Sequence, residues 1–319
     1  MAAVKSVLAV YYSQSGQMRA VMDRVLAPVA AARDIKLTRV ALEVEPAFPY
    51  PWPFWRFLDA FPETVALMPP PLKPLPLRGD ERFDLIVLGY PVWFLSPVPA
   101  MTAFLQSSAA RAILRGSPVV TVTACRNMWL MAQQTVKELL VKCESRLVDH
   151  VALVDRGPTL ATFITTPRWL LTGRKDAFWG LPAAGVDEAQ IRSAERFGRA
   201  LVDGLRRGAE RSGESMMQGL GACAVNVQLI ASERIGLRSF RLWGAALRAL
   251  GPPGGAPRRL LLVFYMLFLL AAIITIVPLN MLLARVTAPL LGSRRQRQKR
   301  AFEEPSGSDI SRLAARSAP

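Results

Sequence analysis

The chain has 319 residues, of which 51% are hydrophobic and 20% charged, with 40 lysines and arginines against 24 aspartates and glutamates. This length allows one large domain or two small ones, and the hydrophobic content excludes a disordered chain. Three cysteines and a single histidine argue against a disulfide framework, a histidine-based metal site and histidine-ligated haem. The net charge of +16 is compatible with nucleic acid, anionic lipid or a phosphorylated ligand as partner.

The N-terminal part predicts a strand, a polar loop and a helix. Residues 4–12 form a short apolar run with no charged segment before it and no small-residue cleavage site after it, so we expect a strand and not a signal peptide. The run ends at the polar turn 13–16. From there apolar residues recur at helical spacing, namely Met18, Val21, Met22, Val25 and Leu26.

The same alternation continues along the chain. Further strands are predicted at 36–42, 85–89, 119–124 and 147–154, and helices at 100–112, 128–142 and 187–207. The middle strands are almost continuously apolar, as strands buried on both faces are. The sequence therefore predicts an α/β domain over residues 1–208, with an open parallel sheet and helices on both faces.

Residues 46–77 interrupt the alternation with many prolines interleaved with tryptophan, phenylalanine and tyrosine. One interpretation is an irregular insertion packed against the core. The other is an aromatic cover over an apolar ligand, because long loops in compact domains are often lids.

The C-terminal third is interpreted as membrane-associated. Residues 209–257 are interpreted as a basic linker. Residues 260–279 contain no charge, and a helix of this length can span a bilayer of about 30 Å. We therefore predict a membrane segment at 258–292, either transmembrane or dipping into the bilayer with a turn near Pro278. A basic, disordered tail is expected at 293–319. The basic clusters beside the apolar run favour anionic lipid over nucleic acid as the partner. Because both flanks of the run are basic, the charge pattern leaves its orientation in the membrane open.

The loop after the first strand has the features of a phosphate site. A helix N-terminus offers unpaired N–H groups to an anion, Gly16 allows close backbone approach, and two hydroxyls add donors. The loop has no lysine and is not a nucleotide-triphosphate loop; a plain helix cap is the alternative. The predicted phosphate ligands are Ser13, Gln14, Ser15, Gly16 and Gln17, with Met18 closing the loop.

Two further loops follow predicted strands at the edge where open parallel sheets bind ligands. Aromatic side chains on the first can lie against a flat ring, although they could equally be ordinary core residues. The second carries a fixed cation and a good helix cap, Asn127. The predicted ring-binding residues are Pro91, Val92, Trp93 and Phe94 on one side, and Thr123, Ala124, Cys125 and Arg126 on the other. A ligand with a phosphate and a planar ring, such as FMN, would suit the three loops.

These loops resemble those of the flavodoxin-like superfamily, including flavodoxin-type quinone reductases. Ser13, Ser15 and Gly16 match its phosphate pattern T/S-x-T-G-x-T, and YPVWFLSPVPAMTAFL resembles its second flavin loop. Met18 replaces the last hydroxyl of that pattern, and Leu95 stands where a glycine is frequent. The resemblance implies a flavodoxin-like fold that binds FMN.

A narrower resemblance is to the bacterial dialkylresorcinol condensing enzyme family, through VYYSQSGQ, PYPWPFWRFLDAFPE, CRNMWLMAQ and TPRWLLTGRKDAFWG. It implies a role in forming or aromatising the ring of an alkylated aromatic lipid, beside a ketosynthase. With the predicted membrane segment, it also implies a bacterial inner-membrane protein whose α/β domain lies in the cytoplasm. The sequence has no Cys/His arrangement typical of a ketosynthase itself, so Cys125 is a weak nucleophile candidate.

The sequence leaves three functions open. The first is a membrane-anchored, FMN-dependent oxidoreductase of an apolar, ring-forming substrate, with Arg126 orienting a carboxylate or enolate and Tyr12 and Tyr90 as nearby hydroxyls. The second is a reductase that passes hydride from NAD(P)H to a membrane quinone. The third is a tethered flavodoxin that carries electrons between proteins.

Overall fold

The structure, a computed structural model, describes residues 4–286 and 292–313. Its central sheet has the strands β1 (Lys5–Tyr11), β2 (Ile35–Ala41), β3 (Leu85–Trp93), β4 (Ser96–Pro97), β5 (Pro118–Cys125) and β6 (Arg146–Val154). The order is β2-β1-β3-β5-β6, with all of these parallel, and the short β4 turns back antiparallel on β3. When the five parallel strands alone are numbered along the chain, their order in the sheet is 2-1-3-4-5, the order of flavodoxin-like folds. The predicted flavodoxin-like fold is confirmed.

The helices follow in chain order. They are α1 (Gln17–Ala31), α2 (Phe54–Asp59), α3 (Phe61–Val65), α4 (Pro99–Gln106), α5 (Ser108–Leu114), α6 (Leu130–Lys142), α7 (Thr159–Thr172), α8 (Glu188–Ser193), α9 (Glu195–Arg207), α10 (Ala209–Ser212), α11 (Val227–Ala249), α12 (Ala256–Val286) and α13 (Gly292–Glu303). Two predicted helices are each divided in the structure. Ser107 separates α4 from α5 because its hydroxyl accepts a hydrogen bond from Ala110 N at 3.1 Å and caps the second helix.

Both faces of the sheet are buried, because side chains alternate along each strand. In β1, Val7 and Ala9 face a cluster with α1 and α9, whereas Leu8 and Val10 face a cluster with α4, α5 and α6. This is why the strands read as continuous apolar runs in the sequence.

The insertion at 46–77 is largely irregular but carries α2 and α3. It is joined to the domain at several points, including Trp52 N, which donates to Leu170 O of α7 at 2.8 Å. Phe61, at the start of α3, is completely buried. The insertion is therefore a packed part of the domain.

The stretch 209–257 differs from the predicted basic linker. It contains the helix α11, which packs on α3 and α6 through buried residues such as Ile230, Leu237 and Leu247. The arginines that suggested a linker occupy the exposed face of this helix, while its apolar residues recur at helical spacing on the other face.

The C-terminal region also differs from the predicted disordered tail. Residues Gly292–Glu303 form α13, and the chain after it packs on the sheet edge, where Ser306 is completely buried. Arg297 and Arg300 are exposed on α13, and the basic composition did not reveal the packed residues that follow this helix. Residues 287–291 of the predicted membrane segment and 314–319 of the predicted tail lie outside the described residues, as do residues 1–3.

The helix α12 carries the apolar run. Among the described residues, its part Ala256–Thr275 is the one stretch long and apolar enough to cross a membrane, with a mean hydropathy of 2.0 and 17% of its residues buried. Large apolar side chains such as Leu267 and Ile274 are exposed along it.

Candidate functional site

A cavity of about 210 Å³ opens at the carboxyl ends of the parallel strands. It is bounded by the loops after β1, β3, β5 and β6, by the insertion and by α7. The lining residues are Gln14, Ser15, Gln17, Met18, Trp52, Phe57, Pro91, Val92, Trp93, Phe94, Ala124, Cys125, Arg126, Asp155, Thr166, Trp169, Leu170 and Gly185. The three loops singled out in the sequence therefore meet at one place, because parallel strands bring their carboxyl ends to one edge.

The loop 13–16 forms the half-exposed rim of this cavity and the N-terminus of α1. Gly16 is the N-cap residue with φ +86°, a left-handed conformation that glycine adopts without strain. The Ser13 hydroxyl accepts a hydrogen bond from Arg19 N at 3.0 Å. The backbone N–H groups of Gln17 and Met18 have no partner within the helix. Since the first helical turn contains no acidic residue, this end carries a positive field suited to an anion.

Two predicted phosphate ligands use their side chains elsewhere. The Gln14 amide donates to Pro49 O of the insertion at 2.7 Å. The Gln17 amide oxygen accepts from Val186 N, before α8, at 2.8 Å. These side chains therefore fix neighbouring segments to the loop, while both residues still line the cavity. Met18, which replaces a hydroxyl of the family pattern, is buried against the core.

The aromatic loop is the tight turn between β3 and β4. Phe94 and Leu95 at its centre both have positive φ, at 48° and 60°, as a two-residue hairpin turn requires. The turn places Trp93 and Phe94 in the cavity wall. The Trp93 ring lies 5.4 Å from Trp52, and the Phe94 ring lies 5.2 Å from Phe57. The insertion thus packs against this loop with aromatic side chains.

The loop after β5 brings a cation to the cavity. The Arg126 guanidinium carbon lies 3.9 Å from the ring centre of Phe163 on α7. Burial lowers the pKa of Arg126, and the charge of nearby Asp155 acts in the opposite direction. Arginine has so high an ordinary pKa that it stays protonated here, so the cavity contains a fixed, partly desolvated positive charge.

Asp155 lies directly after β6 and its carboxylate is fully engaged in shaping the cavity. One oxygen accepts from Gly157 N at 2.7 Å and the other from Gly185 N at 2.8 Å. Gly185 has φ +88°, and a Cβ there would come within 2.3 Å of the Gln17 amide oxygen. Asp155 is therefore a structural residue of the cavity wall that also faces Arg126.

Cys125 is a thiol with no base beside it. It is buried in the wall, and burial together with the Glu233 carboxyl raises its pKa well above the usual range. A thiolate nucleophile is not available at neutral pH. Among the described residues, no cluster of three or more His, Cys, Asp or Glu could hold a metal ion.

Five predicted site residues are not among the lining residues, namely Tyr12, Ser13, Gly16, Tyr90 and Thr123. Ser13 and Gly16 belong to the loop at the cavity rim. Tyr12 and Tyr90 alternate with cavity-side residues and point into the core beneath α4 and α6. The Tyr90 hydroxyl donates to the Gln133 side chain, and the Thr123 hydroxyl donates to Tyr90 O at 2.9 Å. Burial raises the pKa of both tyrosines. Neither tyrosine is kept as a catalytic candidate, because the direction of each strand residue is set by the pleat.

Some lining residues were not predicted from the sequence. Asp155 follows β6, the last strand of the sheet, at the same edge. Applying the carboxyl-end rule to that weakly patterned strand would have found it. Trp169 and Leu170 lie on α7, which the sequence analysis left without an element. Their position beside Trp52 depends on long-range packing that no local pattern records.

The comparisons with solved structures return flavodoxin-type folds. A flavoprotein from Lactobacillus acidophilus in complex with FMN is 18% identical, with a TM-score of 0.37 over 46% of this chain and 93% of its own. A flavodoxin from the domain Archaea is 10% identical, with a TM-score of 0.35 over 63% of this chain and 99% of its own. Flavodoxin 1 from Bacillus cereus is 13% identical, with a TM-score of 0.34 over 62% and 98%.

No protein-family model and no curated protein matches the chain. The overall similarity to the solved structures is too low to say what this chain binds.

Proposed function

We propose that this chain is an FMN-dependent oxidoreductase of an apolar, ring-containing substrate. One observation supports this most directly. A half-exposed phosphate-type loop, an aromatic turn and a fixed arginine line one cavity at the carboxyl edge of a 2-1-3-4-5 sheet. Flavin, when bound, supplies hydride transfer to or from the substrate.

The residues present fit FMN. The helix N-terminus at Gly16 and the hydroxyls of Ser13 and Ser15 suit a phosphate, since no acidic residue lies in the loop. Trp93 and Phe94 provide flat apolar surfaces for a ring at the enclosed end of the cavity. The insertion residues Trp52 and Phe57 cover this end, which would exclude water from the reacting groups.

The surroundings favour an apolar substrate. A row of aromatic contacts runs from the cavity to α12: Phe57 to Phe94 at 5.2 Å, Phe94 to Phe61 at 5.3 Å, and Phe61 stacked on Tyr265 at 4.7 Å. The cavity therefore adjoins the apolar helix through a continuous row of aromatic side chains, of which Phe57 and Phe94 line the cavity and Phe61 and Tyr265 are buried behind them. Arg126 would orient an enolate or carboxylate of such a substrate.

At the finer level we propose the aromatisation of a dialkylresorcinol-type ring. Converting a cyclohexanedione to a resorcinol removes two electrons and two protons, which a flavin can accept. The precursor would come from a ketosynthase, and the product, with long alkyl chains, would partition into the bacterial inner membrane. The short segments shared with the dialkylresorcinol family and the apolar surroundings of the cavity support this assignment.

A quinone reductase supplied by NAD(P)H is the second candidate, because the same aromatic row suits a lipid-soluble quinone. Rapid oxidation of NADPH by the purified protein in the presence of a soluble quinone would favour it over ring aromatisation. A flavodoxin-type electron carrier is less well supported, since Trp52 and Phe57 cover the cavity that a protein partner would have to approach.

The flavin assignment is tested at Ser15. Ser15→Asp places a carboxylate beside the phosphate position, and we expect FMN affinity to fall at least about 100-fold through charge repulsion. The helix should be retained, because an acidic residue near a helix N-terminus is stabilising. Ser15→Ala is the matched control, with an expected loss of about 10-fold or less for one hydroxyl.

The measurement is FMN titration followed by flavin absorbance and fluorescence, with helical content checked by circular dichroism. Equal FMN affinity in all three proteins would show that this loop does not bind the phosphate. A wild-type protein that binds no FMN would overturn the flavin assignment itself.

A further inference from the structure

Both ends of the apolar segment are held on the same domain. At its start, the Arg258 side chain is completely buried and forms 2.7 Å ion pairs with Asp59 and with Glu63 of the insertion. Two turns later, Tyr265 stacks on Phe61 with its ring almost parallel, at 3°. Such a buried guanidinium is stable only with these partners, so the start of α12 is firmly placed.

After α13 the chain returns to the edge of the sheet. The Ser306 hydroxyl donates to the Asp149 carboxylate at 2.7 Å and accepts from His150 N at 2.6 Å. Two backbone hydrogen bonds, from Gly221 N to Asp309 O at 2.6 Å and from Cys223 N to Gly307 O at 3.0 Å, join this segment to the strand-like stretch beside β6. We call residues 303–313 the C-terminal dock.

A single membrane crossing by α12 is incompatible with the C-terminal dock. The helix has 31 residues, or about 46 Å, so a crossing of about 30 Å would leave its C-terminal end on the far side. The chain would then have to return through α13. That helix has 12 residues, or about 18 Å, too short to cross. It also carries five cations, Arg294, Arg295, Arg297, Lys299 and Arg300, which are costly in hydrocarbon.

The exposed side chains indicate what covers this surface. On α12 the outer face is apolar, with Leu260, Phe264, Leu267, Leu270 and Ile274 exposed. On α11, which packs beside α12 through Trp243, the exposed face carries Arg234, Arg238 and Arg241 together with Ile235 and Leu242. The one acidic residue of α11, Glu233, is buried. Apolar residues flanked by unopposed arginines match an anionic bilayer surface.

We propose that α11 and α12 bind one leaflet of an anionic bilayer in its plane, so that the α/β domain and the C-terminal dock lie on the same side of the membrane. This inference goes beyond the proposed function and is independent of the flavin. The aromatic row from the cavity then ends at Tyr265, on the helix whose outer face contacts the lipid.

Sidedness is tested with two matched single-cysteine variants, Ala189→Cys on α8 and Ala301→Cys on α13, both at exposed positions. Inverted inner-membrane vesicles from an expression host are treated with a membrane-impermeant maleimide before and after detergent. Because the three native cysteines are buried, the wild-type chain gives the background. We expect both positions to be labelled equally without detergent. Labelling of Ala301→Cys only after detergent would overturn the proposal.

The lipid partner is tested by flotation of purified protein with vesicles of phosphatidylcholine, alone or with phosphatidylglycerol. Replacing Arg234, Arg238 and Arg241 by glutamine should weaken binding to the anionic vesicles roughly 100-fold at low salt and leave binding to neutral vesicles nearly unchanged. No flotation of the wild-type chain would overturn the membrane association. A stable dimer that does not float would identify a second copy as the occupant and overturn the lipid proposal.

Discussion

Leu95 shows how one residue can have an unfavourable backbone and a favourable side chain. Its φ of 60° lies in the left-handed region, where glycine is preferred and where the family pattern often has one. Its side chain is buried with Leu237 of α11, and a Cβ on Gly236 would come within 3.1 Å of it. The side chain therefore attaches α11 to the aromatic turn of the cavity.

This balance predicts an unusual order of stabilities. Leu95→Ala should lower the free energy of unfolding by about 3 kcal/mol through lost packing. Leu95→Gly should cost about 1 kcal/mol less than Leu95→Ala, because glycine removes the left-handed strain. At Leu8 in β1 the order should be reversed, with glycine the less stable. Urea unfolding in detergent, followed by tryptophan fluorescence, measures all four variants. A glycine variant at position 95 no more stable than the alanine variant would contradict the prediction.

Among the helices, Glu233 joins α11 to the beginning of α6. One carboxyl oxygen accepts from Met131 N at 3.0 Å, and within the described part of the chain the other has no hydrogen-bond partner. Burial raises its pKa to about 8, although the backbone N–H groups of α6 act in the opposite direction. The carboxyl is therefore mostly protonated at neutral pH in the folded chain and ionised in the unfolded chain.

The pH dependence of stability follows from this difference. The folded chain holds a proton that the unfolded chain releases near pH 4.5, so stability should fall as pH rises towards about 8, by at most about 1.4 kcal/mol per pH unit. Burial lowers the pKa of His150 from its ordinary value of 6.5 to about 3. Below pH 6.5 this residue therefore has the opposite effect, and the stability contributed by His150 rises with pH. From pH 7 to 8 the unfolded chain has released most of the proton on His150 and still holds most of those on the cysteines, so Glu233 makes the largest contribution there.

The prediction is checked by urea unfolding at several pH values in that interval. Glu233→Gln should flatten the decline, whereas Glu188→Gln, at an exposed position on α8, should keep the wild-type slope. Identical slopes in both variants would show that the buried carboxyl does not carry the proton.

For the whole molecule, the apolar surface of α12 should decide where the protein resides. A deletion of residues 251–319 would not test membrane attachment cleanly, because it would expose Phe61 and Leu247, which are completely buried. Changing Leu260, Phe264, Leu267 and Ile274 to glutamine alters exposed side chains only. This variant should move from the membrane fraction to the soluble fraction. Each substitution removes roughly 100 Å² or more of apolar surface, whose burial in lipid favours membrane binding.

FMN binding should be unchanged in that variant, because none of the four residues lines the cavity. Val4, Val141 and Leu160, also exposed, are the matched control when changed to glutamine, and this control should remain with the membrane. Retention of the quadruple variant in the membrane fraction would show that α12 is not the attachment. Fractionation followed by flavin absorbance measures both outcomes.

The sequence by itself determined the sheet and the edge at which the candidate site lies. Apolar runs and turn residues fixed the order of strands and loops, and a parallel sheet necessarily gathers the loops of Ser15, Trp93 and Arg126 at one edge. These features are local, so pattern and spacing were sufficient to predict them.

Only the tertiary structure decided which side chains enter the cavity and how the chain ends. The pleat turns Tyr90 into the core, and long-range packing places Trp52 over the aromatic turn. The same holds for Ser306, whose contact with Asp149 joins residues 157 positions apart. Contacts at such separations depend on how the whole chain packs, and they leave no periodic signal in the sequence.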